Sequence, residues 1–119
     1  MKLEKKNITQ LIIKNNPNAK KDKKRLISFF IMKDGKTFKK KFGSYNSFTY
    51  SDGAEDKIRN AYIKRHSGLN ENWNDIFSAG SLSRFVLWEK RSNNNIEKYY
   101  NREFKIPNVK IDFIRNKNN

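Results

Sequence analysis

At 119 residues the chain is long enough for one domain with a modest core and too short for two. Its 27 Lys and Arg against 12 Asp and Glu leave a formal charge of +15, which a polyanion would relieve. With no cysteine and one histidine it has no disulfide, no thiolate chemistry and no His-cluster metal site, and no apolar run approaches the roughly 20 residues of a bilayer span or forms a signal peptide.

Basic charge is concentrated early: Met1 to Lys41 carries fourteen basic residues and three acidic ones, net +11. Ile8 to Lys14 reads as a short strand, stopped by Asn15-Asn16-Pro17-Asn18, and Ala19 to Lys24 as a solvated basic connector. Leu26 to Met32 is the most apolar run. Its Leu26, Ser28, Phe30 and Met32 alternate with Ile27, Phe29 and Ile31, so both sides are apolar, the signature of a central strand or of one covered by helices. Lys33-Asp34-Gly35-Lys36 then predicts a hairpin into Thr37 to Phe42, where Thr37, Lys39 and Lys41 make a wet, positive side and Phe38, Lys40 and Phe42 the other. Gly43 to Tyr50 is a polar, aromatic loop or ragged strand.

Asp52 and Glu55 predict a capping box opening a helix through about His66, with Ile58, Ala61 and Tyr62 as its buried stripe and Ser67-Gly68 as its stop. Leu69 to Phe77 has no period, yet Trp73, Ile76 and Phe77 should pack it down as an ordered loop. Ser78 is expected to cap a second helix over about Ala79 to Lys90, with Gly80 allowing a close backbone approach. Asn94 and Glu97 suggest another capping box, and Ile96, Tyr99, Tyr100 and Phe104 the stripe of a third helix, ended by Pro107. Val109 to Arg115 alternates as an edge strand or as one that binds a neighbour, and Asn116 to Asn119 should fray.

The fold class expected is α+β: a small antiparallel sheet built on the β-hairpin and packed against two or three short helices. A compact unit over 24–105 would be flanked by a basic N-terminal segment, 1–23, with room for one strand, and by a C-terminal tail, 106–119.

The runs Tyr62-Ile63-Lys64-Arg65-His66, Glu71-Asn72-Trp73-Asn74-Asp75 and Ser78-Ala79-Gly80-Ser81-Leu82-Ser83-Arg84-Phe85-Val86-Leu87-Trp88 resemble a family of small basic proteins encoded by giant nucleocytoplasmic DNA viruses. The resemblance extends over about Lys24 to Phe104, and the segments Glu71 to Asp75 and Ala79 to Arg84 are its most specific parts. It implies a viral protein made in the host cytoplasm, in the viral factory, or carried in the virion, and it supplies no activity. The chain departs from that pattern at Phe48-Thr49-Tyr50, where the family has Asp-Tyr-Thr, at Phe85 in place of Trp, and at Lys90-Arg91-Ser92 in place of Pro-Thr-Leu.

Arg65, His66, Glu71, Asn72, Asp75 and Arg84 are the most enzyme-like group, but their spacing matches no familiar metal nuclease, and Asp52, Glu55 and Asp56 sit where helix starts favour acids. Arg65 and Arg84 are better read as partners of Glu71 or Asp75 that pin the loop between helices, and Trp73 and Trp88 as core residues. No catalytic residue, metal site or cofactor is assigned. The expected function is non-enzymatic, mostly sequence-independent binding of DNA or RNA, as in viral genome organisation or packaging. Lys20, Lys21, Lys23, Lys24, Arg25, Lys36, Lys39, Lys40 and Lys41 would neutralise phosphates, with Lys5 and Lys6 joining if the N-terminal segment folds back, and Tyr45, Phe48 and Tyr50 would stack on bases. The alternative is a minor capsid or internal virion protein working through contacts with capsid or core proteins, the lysines then serving to guard a strand edge against aggregation.

Overall fold

The computed structural model describes residues 3–68 and 72–117. Strand β1 is Ile8–Asn15, the single turn α1 Ala19–Asp22, β2 Lys24–Met32 and β3 Thr37–Ser44. Helix α2 is Asp56–Ser67. Helix α3, Ala79–Leu82, widens without a break into a π-helical turn over Ser83–Leu87, and α4 (Asn93–Glu103) and β4 (Val109–Asp112) follow. Short 3-10 turns lie at Lys5–Asn7 and Tyr50–Asp52.

The strands order as β3-β2-β1-β4 in one open sheet. β2 pairs antiparallel with both β3 and β1, but β4 runs parallel to β1, pairing Leu11 with Val109 and Ile13 with Ile111. The fold is therefore α+β with a mixed sheet, not the all-antiparallel sheet expected. A parallel neighbour needs a long crossover, and the helices of residues 56–103 provide it. Residues 8–15 and 109–113, expected in the flanking segments, are thus inside the folded unit, with β1 between two neighbours.

The hairpin forms where the Asp-Gly pair predicts it. Gly35, at φ +86°, donates its N–H to Met32 O at 2.9 Å, and the Met32 N–H donates to Lys36 O at 2.9 Å. This is a turn followed by a one-residue bulge, which places glycine where a left-handed conformation is required. The side chain of Asp34 accepts from the Lys36 N–H at 2.9 Å and fixes the turn.

Strand alternation sends Leu11, Ile13, Leu26, Phe30, Phe42 and Ile111 to one face, where Leu82, Val86, Leu87, Ile96, Tyr100 and Ile106 from the helical half cover them. The Phe77 ring lies 4.8 Å from that of Phe30 and 5.7 Å from that of Phe38, both edge-on, so the segment before α3 is packed down as expected. Residues 69–71 of that segment lie outside the described residues.

Several helix boundaries differ from expectation, each for a local reason. The capping box belongs to Thr49 and Asp52 and closes the 3-10 turn, and α2 begins only at Asp56. Ile58 of α2 is 49% exposed and Ala61 is also exposed, leaving Tyr62 as its buried residue. The helix lies at the margin of the fold, so only one side chain of its 12 residues is buried. Ser78 caps α3 as predicted, its Oγ accepting from the Ser81 N–H at 3.1 Å. That helix ends at Leu87 rather than near Lys90 because its last turn opens to π geometry. The carbonyls freed there are satisfied from outside: the Ser51 hydroxyl donates to Val86 O and Leu87 O, both at 2.9 Å, and Arg59 Nε donates to Trp88 O at 2.8 Å. Ser92, not Asn94, caps α4, accepting from the Asn95 N–H at 3.1 Å.

Asn116, expected to fray, is held: its N–H donates to Asp52 Oδ1 at 2.8 Å and its Nδ2 to Ser47 O at 2.7 Å.

Candidate nucleic-acid interface

Among the described residues the helices cover one face of the sheet, and none packs its core residues on the second. Register alone builds it in rows across the strands. Lys39, Phe29, Ile12 and Lys110 form the central row, Lys41, Ile27, Lys14 and Asp112 one flank, and Thr37, Ile31 and Gln10 the other. Ile12, Ile27, Phe29 and Ile31 are half-buried and stand outside the core cluster. Lys39 Nζ stands 5.7 Å from the centre of the Phe29 ring. Lys14, Lys39, Lys41 and Lys110 are all exposed. The result is an apolar strip with one aromatic ring in the middle, flanked by lysines.

The turn α1 and its exit extend the positive frame, with Lys20, Lys21 and Lys23 all exposed and Lys23 in the left-handed region at φ 58°, whereas Lys24, also exposed, lines a separate cleft with Arg65 and Trp88. Asp22 of this turn accepts from Lys41 Nζ at 2.7 Å and from Asn16 Nδ2 at 3.0 Å, and these bonds hold its carboxyl below the usual carboxylate range. Lys36 is exposed in the hairpin turn, at the other end of β3. Lys40 faces the helical side and is half-buried, so it does not share a surface with Lys39 and Lys41. The three consecutive lysines are divided between two faces by the pleat.

Arg25 is a correction. Expected among the exposed cations, it is 4% exposed and bound by both Nη atoms to the carboxylate of Asp52. Its Nη2 also donates to Ile114 O at 3.1 Å, and the Phe113 ring lies 5.3 Å from its guanidinium. Burial opposes ionisation of Asp52, but the Arg25 guanidinium, the Thr49 hydroxyl and the amides of Thr49 and Asn116 outweigh it and hold the carboxyl below its ordinary value. Arg25 ties the C-terminal segment to the sheet.

Of the aromatic residues expected to stack on bases, Tyr45 is 37% exposed and remains accessible, and Phe48 is half-buried. Tyr50 is enclosed between the guanidinium groups of Arg91 at 4.4 Å and Arg59 at 5.1 Å. Phe29, the aromatic residue that register places among the lysines, was not singled out by sequence. Its signal was the two-sided apolar alternation of β2, unreadable as an open face until β1 is placed beside it.

The family-motif residues separate into two groups. Trp73 and Arg84 form one, with the Arg84 guanidinium 5.3 Å from the Trp73 ring and ion-paired to Glu89 at 2.8 Å. Asp75 instead accepts from the Phe77 N–H at 3.1 Å and shapes its own turn, while Asn72 O accepts from the Ser78 hydroxyl at 3.0 Å. Glu71 lies outside the described residues. The second group, Arg65, His66, Gly80 and Trp88, lines a single cleft beside α2. Within it Tyr62 is stacked between Trp88 at 4.2 Å and His66 at 4.0 Å. Among the described residues no group of three or more His, Asp and Glu is placed to hold a metal ion, and no helix is long and apolar enough to cross a membrane.

Fold and surface together define a small basic α+β protein with one packed and one open sheet face. The chain belongs to the same family as the uncharacterized protein L851 of Acanthamoeba polyphaga mimivirus, to which it is 41% identical over 73 residues, covering 57% of this chain and 73% of that relative. This connects it to the giant viruses. No protein-family model and no solved structure matches the chain.

Proposed function

We propose that the protein binds single-stranded nucleic acid, largely without regard to sequence, on the open face of its sheet. The observation that carries this reading is the central row Lys39-Phe29-Ile12-Lys110, an aromatic ring set in an apolar strip between cations. A base can stack on such a ring, and sugar can lie along isoleucine, while the ammonium groups of Lys14, Lys39, Lys41 and Lys110 meet phosphates on either side. Duplex DNA would engage the lysines alone, since paired bases cannot reach the strip. Genome organisation in the viral factory or virion is the setting that fits a protein of this charge and family, with no catalytic step assigned.

Binding of fluorescent single-stranded DNA, RNA and duplex DNA across a salt series tests this. Single strands should bind more tightly than duplex at every salt. In a Lys39→Glu/Lys41→Glu variant the slope of log affinity on log salt should fall by about 1.4, since each single-strand phosphate contact contributes roughly 0.7. Equal affinities for single strand and duplex, or a slope unchanged in the variant, would remove the sheet face from consideration. A second reading draws on the isoleucines of the same strip: a protein partner of the capsid or core, held through Ile12, Ile27 and Ile31, would keep its grip at high salt.

A further inference from the structure

The cleft beside α2 is separate from the open sheet face. It has a volume of about 400 Å³, enough for a mononucleotide, and lies where the starts of β2 and α3 meet the last turns of α2. Lys24 and Arg65, both exposed, line it from different elements, and no carboxylate lines it among the described residues. A neighbouring cleft shows the contrast, since there Arg59 and Arg91 are matched by Glu89 and Asp56.

The remainder of the wall suits a small polar ligand. Gly43 and Gly80 line the cleft, Gly43 at φ +80° and packed so closely on Leu87 that a Cβ there would lie 3.0 Å from its Cδ1. Hydroxyls of Ser44 and Ser83 also line the cleft. The Tyr62 and Trp88 rings, stacked only 7° from parallel, also line it, with His66 stacked on Tyr62 in turn. Cations, serines and aromatic rings lining one cleft match the phosphate, sugar and base of a nucleotide.

We propose that this cleft binds a nucleoside monophosphate unit, its phosphate held by Lys24 and Arg65 and its base lying along the Tyr62–Trp88 wall. The unit is either a free nucleotide or the phosphorylated end of a strand. Because Lys24 and Arg65 are exposed, glutamine at either position should leave the fold intact.

Adenosine 5′-monophosphate titrated into the full chain, followed by amide shifts of Gly80 and Gly43, is the test. Saturable binding is expected, at least tenfold tighter than that of adenosine or inorganic phosphate, and weakened at least fivefold by Lys24→Gln or Arg65→Gln. The Lys39→Glu/Lys41→Glu protein should bind it as the parent does, which separates this site from the sheet face. In that same background, a 5′-phosphorylated tetranucleotide that binds more tightly than the mononucleotide assigns the cleft to strand ends. One that binds no more tightly assigns it to free nucleotides, and both results support the cleft. No shift at millimolar adenosine monophosphate, or binding indifferent to Lys24→Gln and Arg65→Gln, would overturn it.

Discussion

Asp52 accepts hydrogen bonds from three separate segments of the chain. It accepts from Arg25, from both the amide and hydroxyl of Thr49, and from the Asn116 amide, so one carboxylate connects β2, the 3-10 turn and the C-terminal segment. Removing one member of a buried ion pair leaves the other charge uncompensated, and Asp52→Asn should therefore cost about 3–5 kcal/mol in urea unfolding. The same contacts set a pH dependence. The folded pKa of Asp52 lies below its unfolded value, so the pair contributes in full above the ordinary carboxylate range and its contribution is lost as pH falls through the lowered folded value. Stability of the parent should drop below about pH 4, with a shallower drop in the Asn variant. None of this was legible in the sequence. Arg25 read as one of a run of cations and Asp52 as a helix cap, and their pairing across 27 positions depends on where the chain returns.

Among the elements, what could be read were the features that local chemistry dictates. The Asp34-Gly35 turn, the Ser78 cap and the apolar stripe of Ile96 and Tyr100 all formed as expected. What could not be read were partner and direction: the alternation of Val109 to Phe113 announces a strand but not that it lies parallel to β1. The free edge of β4 is also partly occupied, since the Ile111 N–H donates to Glu97 Oε2 of α4 at 3.0 Å, which weakens any case for adding a partner's strand there. The π-helical turn was equally invisible, because its geometry is stabilised by Ser51, a residue more than 30 positions away. Ser51→Ala would leave buried carbonyls of Val86 and Leu87 without their donor. It should lower unfolding free energy by about 1–3 kcal/mol while leaving strand binding unchanged, both measurable on the same protein.

At the scale of the whole molecule, the sheet divides its labour between two faces, and adjacent residues of β2 test that division. Phe30 is fully buried and touches Phe77, whereas Phe29 lies half-buried among lysines on the opposite side. Phe30→Ala should cost about 3–5 kcal/mol of stability. Phe29→Ala should cost far less stability but about 1–3 kcal/mol of single-strand binding, read by titration at fixed salt alongside urea unfolding of both variants. Sequence alternation showed that both sides of this strand are apolar. It could not show which side meets helices and which is left open, because that depends on the placement of residues 76–106.

The parallel pairing of β4 with β1 also has a consequence in time. Asn108 Nδ2 donates to Thr9 O across 99 positions, so one side of β1 has no partner until nearly the whole described chain has left the ribosome. Until then a nascent chain presents Ile8 to Ile13 as an unpaired strand edge, open to the same edge on another chain. The hairpin can form early and quickly, but closing the sheet must wait for its most distant contact, and folding yield should depend on how crowded the chains are during that interval.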